Sequence, residues 1–204
     1  MGELIADSEA KGLLALMLLQ ESRRDARFDA AGDLVTLEEQ DRTLWRRDAI
    51  REALPLVLEA FRGEPGPYAV QAAIAASHAR AARFEDTDWA GILALYDLLE
   101  RAQPSPIVSL NRAVAVSMAH GPAAALPLLD ALEGELNGYH LLPAARADFL
   151  RRIGDASGAA AQYRRALDLV GNEPERRYLE RRLQEVRALR PSQTSTPSFA
   201  SNAR

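Results

Sequence analysis

Two carboxylates separated by one residue, Asp86 and Asp88 in the run Glu85-Asp86-Thr87-Asp88-Trp89, are the side chains in this sequence that most invite a chemical reading. Such a pair suits general acid–base work or a share of a metal shell, but both need further partners. No histidine or third carboxylate accompanies them at ligand spacing. The same residues read more simply as a helix start, with Asp86 or Thr87 as the cap and Asp88 in the first turn, where a negative charge meets the helix dipole. A helical enzyme using Asp86 and Asp88, and losing turnover on Asp88→Asn, is the minority reading. The three histidines, His78, His120 and His140, are scattered and read as packing or surface residues. With no cysteine, thiolate nucleophiles, thiolate metal sites and disulfides are excluded. No glycine-rich phosphate loop or nucleophile elbow is present. The expectation is a protein without catalytic activity, cofactor or metal.

The remaining polar candidates look like contact residues. Tyr68, Gln71 and His78 fall at spacings of three and seven along one helix and could line a groove, or form the polar edge of a packed helix. Gln40, Asp41 and Arg42 sit between apolar segments and suggest either a contact or buried network, or a local cap by Asp41 with Arg42 paired nearby. On the network reading, Arg42→Ala weakens function without unfolding the domain. Asn111 lies on a stripe with Ile107, Leu110, Val114 and Met118. Buried there without a partner, its amide would cost about 1–3 kcal/mol, so a bond to backbone or a neighbouring polar group is expected. A structural Asn joining two helices is preferred over a ligand contact.

The bulk numbers fit this. The chain has 204 residues, 48% hydrophobic and 26% charged, ordinary for a soluble globular protein able to bury a core. Its first ten residues hold Glu3, Asp7 and Glu9 and no base, and its longest apolar run, Leu13 to Leu19, is too short to span a bilayer. A cytoplasmic protein is expected, with no membrane partner. The net charge of −4 gives no overall pull toward nucleic acid. The charge is uneven, −9 over residues 1–140 and +5 over 141–204, which suggests a docking face.

The elements that must position these residues are helical. Ser8 to Arg27 reads as an amphipathic helix with Leu13, Leu14, Met17 and Leu18 apolar and Asp7 or Ser8 as cap. A turn and a short extended piece follow around Leu34, Val35 and Leu37, too brief to nucleate a sheet. A second helix is expected over Asp41 to Arg62, kinked or split at Pro55. Gly63-Glu64-Pro65-Gly66-Pro67 is the best internal boundary, and Pro67 starts an alanine-rich third helix. Pro104 to Gly121 is apolar nearly all round and so reads as the central helix.

From Trp89 onward a repeat is countable. Tyr96, Leu99 and Pro104 align with Ala125, Leu129 and Leu132, then with Ala159, Tyr163 and Ala166, giving helix pairs at about 34 residues, the tetratricopeptide (TPR) period. Gly154-Asp155 marks one inter-helix turn and His120-Gly121-Pro122 another. A polar-faced last helix from Glu173 to Leu189 would cap the array. The Ser-, Thr- and Pro-rich end reads as disordered. The expected fold is all-α: a TPR-like solenoid of antiparallel helix pairs over 63–190, an N-terminal helical subdomain over 1–62 packed against it, and a tail over 191–204.

The chain resembles the C-terminal extension of a group of extracytoplasmic-function (ECF) RNA polymerase sigma factors, the TPR-bearing group associated with DGPF-type (YCII-related) proteins. The likeness runs from about Glu9 to Val186. It rests on Gly12-Leu13-Leu14-Ala15-Leu16-Met17-Leu18-Leu19, Leu37-Glu38-Glu39-Gln40-Asp41-Arg42 before Trp45, Gly66-Pro67-Tyr68 with Gln71-Ala72-Ala73-Ile74 and His78-Ala79, Asp86-Thr87-Asp88-Trp89, and Leu110-Asn111-Arg112-Ala113-Val114. In that group promoter reading and polymerase binding belong to two N-terminal domains, and this chain starts where the extension starts. The resemblance therefore implies a regulatory module acting by protein contact in transcription initiation, with no direct nucleic acid contact of its own. Its implied partners are the sigma core domains and RNA polymerase and, as a further candidate, a DGPF-type protein. Gln40, Asp41, Arg42, Tyr68, Gln71, His78, Asp86, Asp88, Asn111 and Arg112 are the contact candidates. The alternative is a stand-alone TPR adaptor holding a peptide in its concave groove.

Overall fold

The structure, a computed structural model, describes the backbone of residues 2–62 and 64–188 and the side chains from Asp7 onward. The expected tail, Leu189 and Gly63 lie outside the described residues. Among those described the fold is all-α, with one isolated antiparallel bridge, Phe28 to Leu34, in place of any sheet. The helices are α1 (Gly2–Glu21), α2 (Arg47–Ala60), α3 (Pro67–Arg80), α4 (Trp89–Ala102), α5 (Pro106–His120), α6 (Pro122–Ala131), α7 (Leu141–Arg152), α8 (Ala156–Leu169) and α9 (Glu173–Ala188).

Local sequence sets most of these boundaries. Pro67, Pro106 and Pro122 occupy first-turn positions, where a missing N–H costs nothing. Ser105, Asp88 and Asp155 cap α5, α4 and α8 through their side-chain oxygens. Gly121 and Gly154 adopt φ of +91° and +87° at the α5–α6 and α7–α8 turns, a conformation that disfavours any side chain.

Three expected boundaries are corrected. The first helix starts before Ser8, so Ser8 does not cap it; its Oγ donates to the Ala60 carbonyl at 2.6 Å and ties α1 to the end of α2. The second helix begins at Arg47, because Asp41 caps only a 3-10 turn over Arg42–Leu44 and Trp45 is extended beyond it. It then runs through Pro55 as one element. The cap of α4 is Asp88, whose Oδ1 accepts from Gly91 N at 2.9 Å, and neither Asp86 nor Thr87.

The core is a chain of local clusters. Ala15, Leu19, Trp45, Ile50, Ala53 and Val57 pack with Ala72, Ala76 and Ala79, joining α1, α2 and α3. Val70 and Ile74 on the other side of α3 join Ile92, Leu99 and Ala115. Leu110, Ala113 and Val116 of α5 meet Ala125, Leu129, Leu142 and Phe149. Ala147, Ala159, Tyr163, Ala166, Leu179, Leu183 and Val186 close the series. Helices α3, α5 and α7 thus each serve two clusters, which is why their sequences are apolar on more than one face.

Helix α1 lies against both α2 and α3. Gly12 makes this possible: a Cβ there would sit 2.5 Å from the Ala69 nitrogen. Glu9 accepts from the backbone N–H groups of Tyr68 and Ala69, both at 3.2 Å, and so caps α3 from another helix. The buried face of α1 is Gly12, Ala15 and Leu19, whereas Leu13, Leu14 and Met17, expected on the apolar packing stripe, are exposed, Leu14 by 46% and Met17 by 60%.

Candidate functional site

A groove of about 420 Å³ opens where α1, α3, α4 and α5 meet. Because α3 and α5 spend two faces on core clusters, a third strip is left to line it: Gln71, Ile74, Ala75 and His78 on α3, and Ile107, Val108 and Asn111 on α5. Gln20 and Arg23 come from the end of α1 and the turn after it, Tyr96 and Gln103 from α4 and its end, and Leu37 from the loop before α2. Asn111 also lines a second cavity of about 270 Å³, bounded by Val114, Leu141, Asp148, Tyr163 and Tyr178. The two cavities therefore adjoin along α5.

This placement overturns the expectation for Asn111. It is exposed, and among the described residues its amide has no hydrogen bond. The buried residues of α5 are Leu110, Ala113, Ala115, Val116 and Ser117, whereas Ile107, Val108 and Asn111 line the groove and Val114 joins Asn111 in the second cavity. Gln71 and His78 stand on the groove wall; Tyr68, in the first turn of α3, does not line it and is exposed.

His78 stacks edge-on against Trp89 at 5.2 Å, and its Nδ1 is buried without a partner. Burial, with Arg23 and Arg42 nearby, lowers its pKa to about 4, so the imidazole is neutral at neutral pH. Arg23 carries the groove's positive charge. It donates to Gln20 Oε1 at 2.6 Å, as does Arg27, and lies 5.8 Å over the Trp45 ring. Burial, then the like charges of Arg27 and Arg42, lower its pKa to about 10.

The other candidates are structural in their contacts. Arg42, 7% exposed, donates from Nη1 to the carbonyls of His78 (2.7 Å) and Ala81 (2.8 Å) and stacks 4.7 Å over Trp45. It closes the end of α3 by long-range bonds, in place of the local pairing that was one of the two expectations. Asp41 is exposed and accepts from Thr43 N and Oγ1. Gln40 donates to the Val35 carbonyl at 3.2 Å, and its Oε1 is buried without a partner. Asp86 pairs with Arg83 on the surface. Arg112 bonds Asp97 at 2.7 Å, tying α5 to α4. Among the described residues, no three His, Asp or Glu side chains converge as a metal site requires.

Arg23 is not among the residues singled out from the sequence. Its signal was present: Arg23 and Arg27 are one helical turn apart, and no carboxylate stands three or four residues from Arg23. Nor is Glu9 singled out as a cap, although Gly66-Pro67 begins a helix without a capping side chain of its own.

A family described as "Family of unknown function (DUF6596)" matches residues 1–61, which hold α1, α2 and the loop between them. A relative from Rhizobium meliloti (strain 1021), "Uncharacterized protein R00370", is 50% identical over 184 residues, 90% of this chain. The chain spans only 44% of that relative's length. No solved structure matches. None of the described helices is long and apolar enough to cross a membrane.

Proposed function

We propose that this chain is the regulatory, protein-contacting extension of an ECF RNA polymerase sigma factor, built as a TPR-like solenoid of antiparallel helix pairs with α1 and α2 packed against its first unit. The observation that carries the reading is the outer face of α1. Leu13, Leu14 and Met17 project from a helix whose opposite face is fully used, and Leu14 and Met17, with Leu18, Gln20, Glu21, Arg24 and Arg27, border a shallow groove of about 500 Å³. An apolar strip of this size with a polar rim is the usual mark of a contact surface.

Further support comes from spacing and length. Helices α4, α6 and α8 begin at Trp89, Pro122 and Ala156, steps close to the TPR period. More than half of the Rhizobium relative lies outside the match, which leaves room for additional domains. On this reading the module contacts the sigma core, polymerase or a partner protein and so sets when the factor engages.

The test is association of this chain with the sigma-type core of the parent factor. Leu14→Glu with Met17→Glu should weaken that association about tenfold or more, since each replaces an exposed apolar contact residue by a charge, while circular dichroism stays unchanged. Absence of any binding by the unaltered chain at high micromolar concentration would sink the proposal. Recovery only of unrelated peptides, never a sigma core or polymerase, would favour the stand-alone adaptor, which the open groove beside Asn111 also suits.

A further inference from the structure

We propose that the groove between α1, α3 and α5 binds an extended peptide segment bearing a carboxylate, with Arg23 as its anchor. This goes beyond the sigma-factor reading, which rests on the outer face of α1, and does not depend on it.

The first observation is a cation without a counter-charge. Arg23 is half-buried, and among the described residues no carboxylate lies within ion-pair distance of it. Several half-buried or buried arginines elsewhere are answered: Arg112 by Asp97, Arg146 by Asp130 and Glu133, Arg165 by Glu133, Arg42 by two carbonyls. Arg23 has only the Gln20 amide oxygen, which it shares with Arg27, and the distant face of Trp45. A half-buried guanidinium so placed gains most from a planar carboxylate, which its donors match two at a time.

The second observation is what stands around it. Gln71, Gln103 and Asn111 present side-chain amides to the groove, and the Nδ1 of His78 is buried with its bonding capacity unused. Primary amides both donate and accept, as does a peptide backbone. Ile74 and Leu99 supply an apolar floor. Asn111 lines both this groove and the second cavity, and a lining drawn from α1, α3, α4 and α5 with amides spread along it suits an extended chain better than a compact acid.

Titration of the isotope-labelled full chain, followed by NMR at His78 and Asn111, tests this. The probes are N-acetyl-Ala-Glu-Ala-amide, its glutamine analogue, N-acetyl-tri-alanine with a free C-terminal carboxylate, and glutarate. At least one carboxylate peptide should bind in the millimolar range or tighter, with the glutamine analogue and glutarate about tenfold weaker. The two peptides separate a side-chain carboxylate from a chain terminus as the source. Arg23→Gln should abolish the preference for the carboxylate, and Asn111→Asp, at an exposed position, should repel it without touching the fold. Leu14→Glu with Met17→Glu should leave peptide binding unchanged, which keeps the two surfaces distinguishable. Silence of the groove signals with both carboxylate peptides, equal binding of the glutamate and glutamine peptides, or a preference that survives both Arg23→Gln and Asn111→Asp would overturn the site. Glutarate binding as tightly as the peptides would overturn the peptide assignment.

Discussion

Arg42 shows how a single side chain can hold two layers together. It reaches from the turn before α2 to the carbonyls that α3 leaves open at its C-terminal end, and its guanidinium covers Trp45. Arg42→Ala strips two carbonyls of a charged donor and removes the stacking, a loss of about 2–4 kcal/mol in urea denaturation. Arg42→Lys should recover only part, because a single ammonium lacks the planar fork. His78 gives a different signature. Its folded pKa of about 4 lies below the ordinary 6.5, so between those values the unfolded chain takes up a proton that the folded one refuses. Stability from this group is complete above pH 6.5, falls as pH drops toward 4, and changes no further below that. The total is up to about 3 kcal/mol. Denaturation curves across that window should flatten in His78→Gln. Both roles were hidden in the sequence for one reason: a polar residue beside apolar ones looks the same whether its partner is local or 36 residues away.

Among the elements, α1 is the one on which its neighbours converge. It touches α2 and α3 on one narrow face of small residues, caps α3 with Glu9 and ties off α2 with Ser8. Gly12→Ala would place a methyl against the Ala69 backbone, which has no flexible end to move aside. It should cost about 1–3 kcal/mol and reduce amide-exchange protection at Tyr68 and Ala69. A Gly12→Ala variant as stable as the parent would show that α1 and α3 can separate freely. Helix α5 teaches the converse about legibility. Its existence, start and stop follow from Pro106, Ser105 and Gly121, yet which strip faces solvent does not. A helix apolar nearly all round offers two equivalent stripes, and only the positions of α4, α6 and α7 select the one that carries Asn111 for the groove.

Across the whole molecule, the charge asymmetry is partly satisfied internally. Arg177 of α9 bonds the Asp33 carboxylate and the Gly32 carbonyl, and Arg181 lies 3.9 Å from Glu39. The acidic loop between α1 and α2 thus reaches the last described helix and shares Leu37 with the groove. The polar face of α9, expected to cap the array, thus also meets this loop. These pairs are exposed, so Asp33→Asn with Glu39→Gln should change global stability by less than about 1 kcal/mol. Hydrogen exchange in residues 28–40 should nevertheless speed up, and an unchanged exchange rate there would mean that the contact does not hold the loop. The sequence alone determined the helical class and the turns at Gly121 and Gly154, because periodicity, proline and glycine act within a few residues. The open groove, the unanswered Arg23, the cap supplied by Glu9 and the meeting of α9 with the Asp33 loop were decided only by tertiary structure. Each depends on which faces the neighbouring helices leave uncovered, and distant parts of the chain settle that.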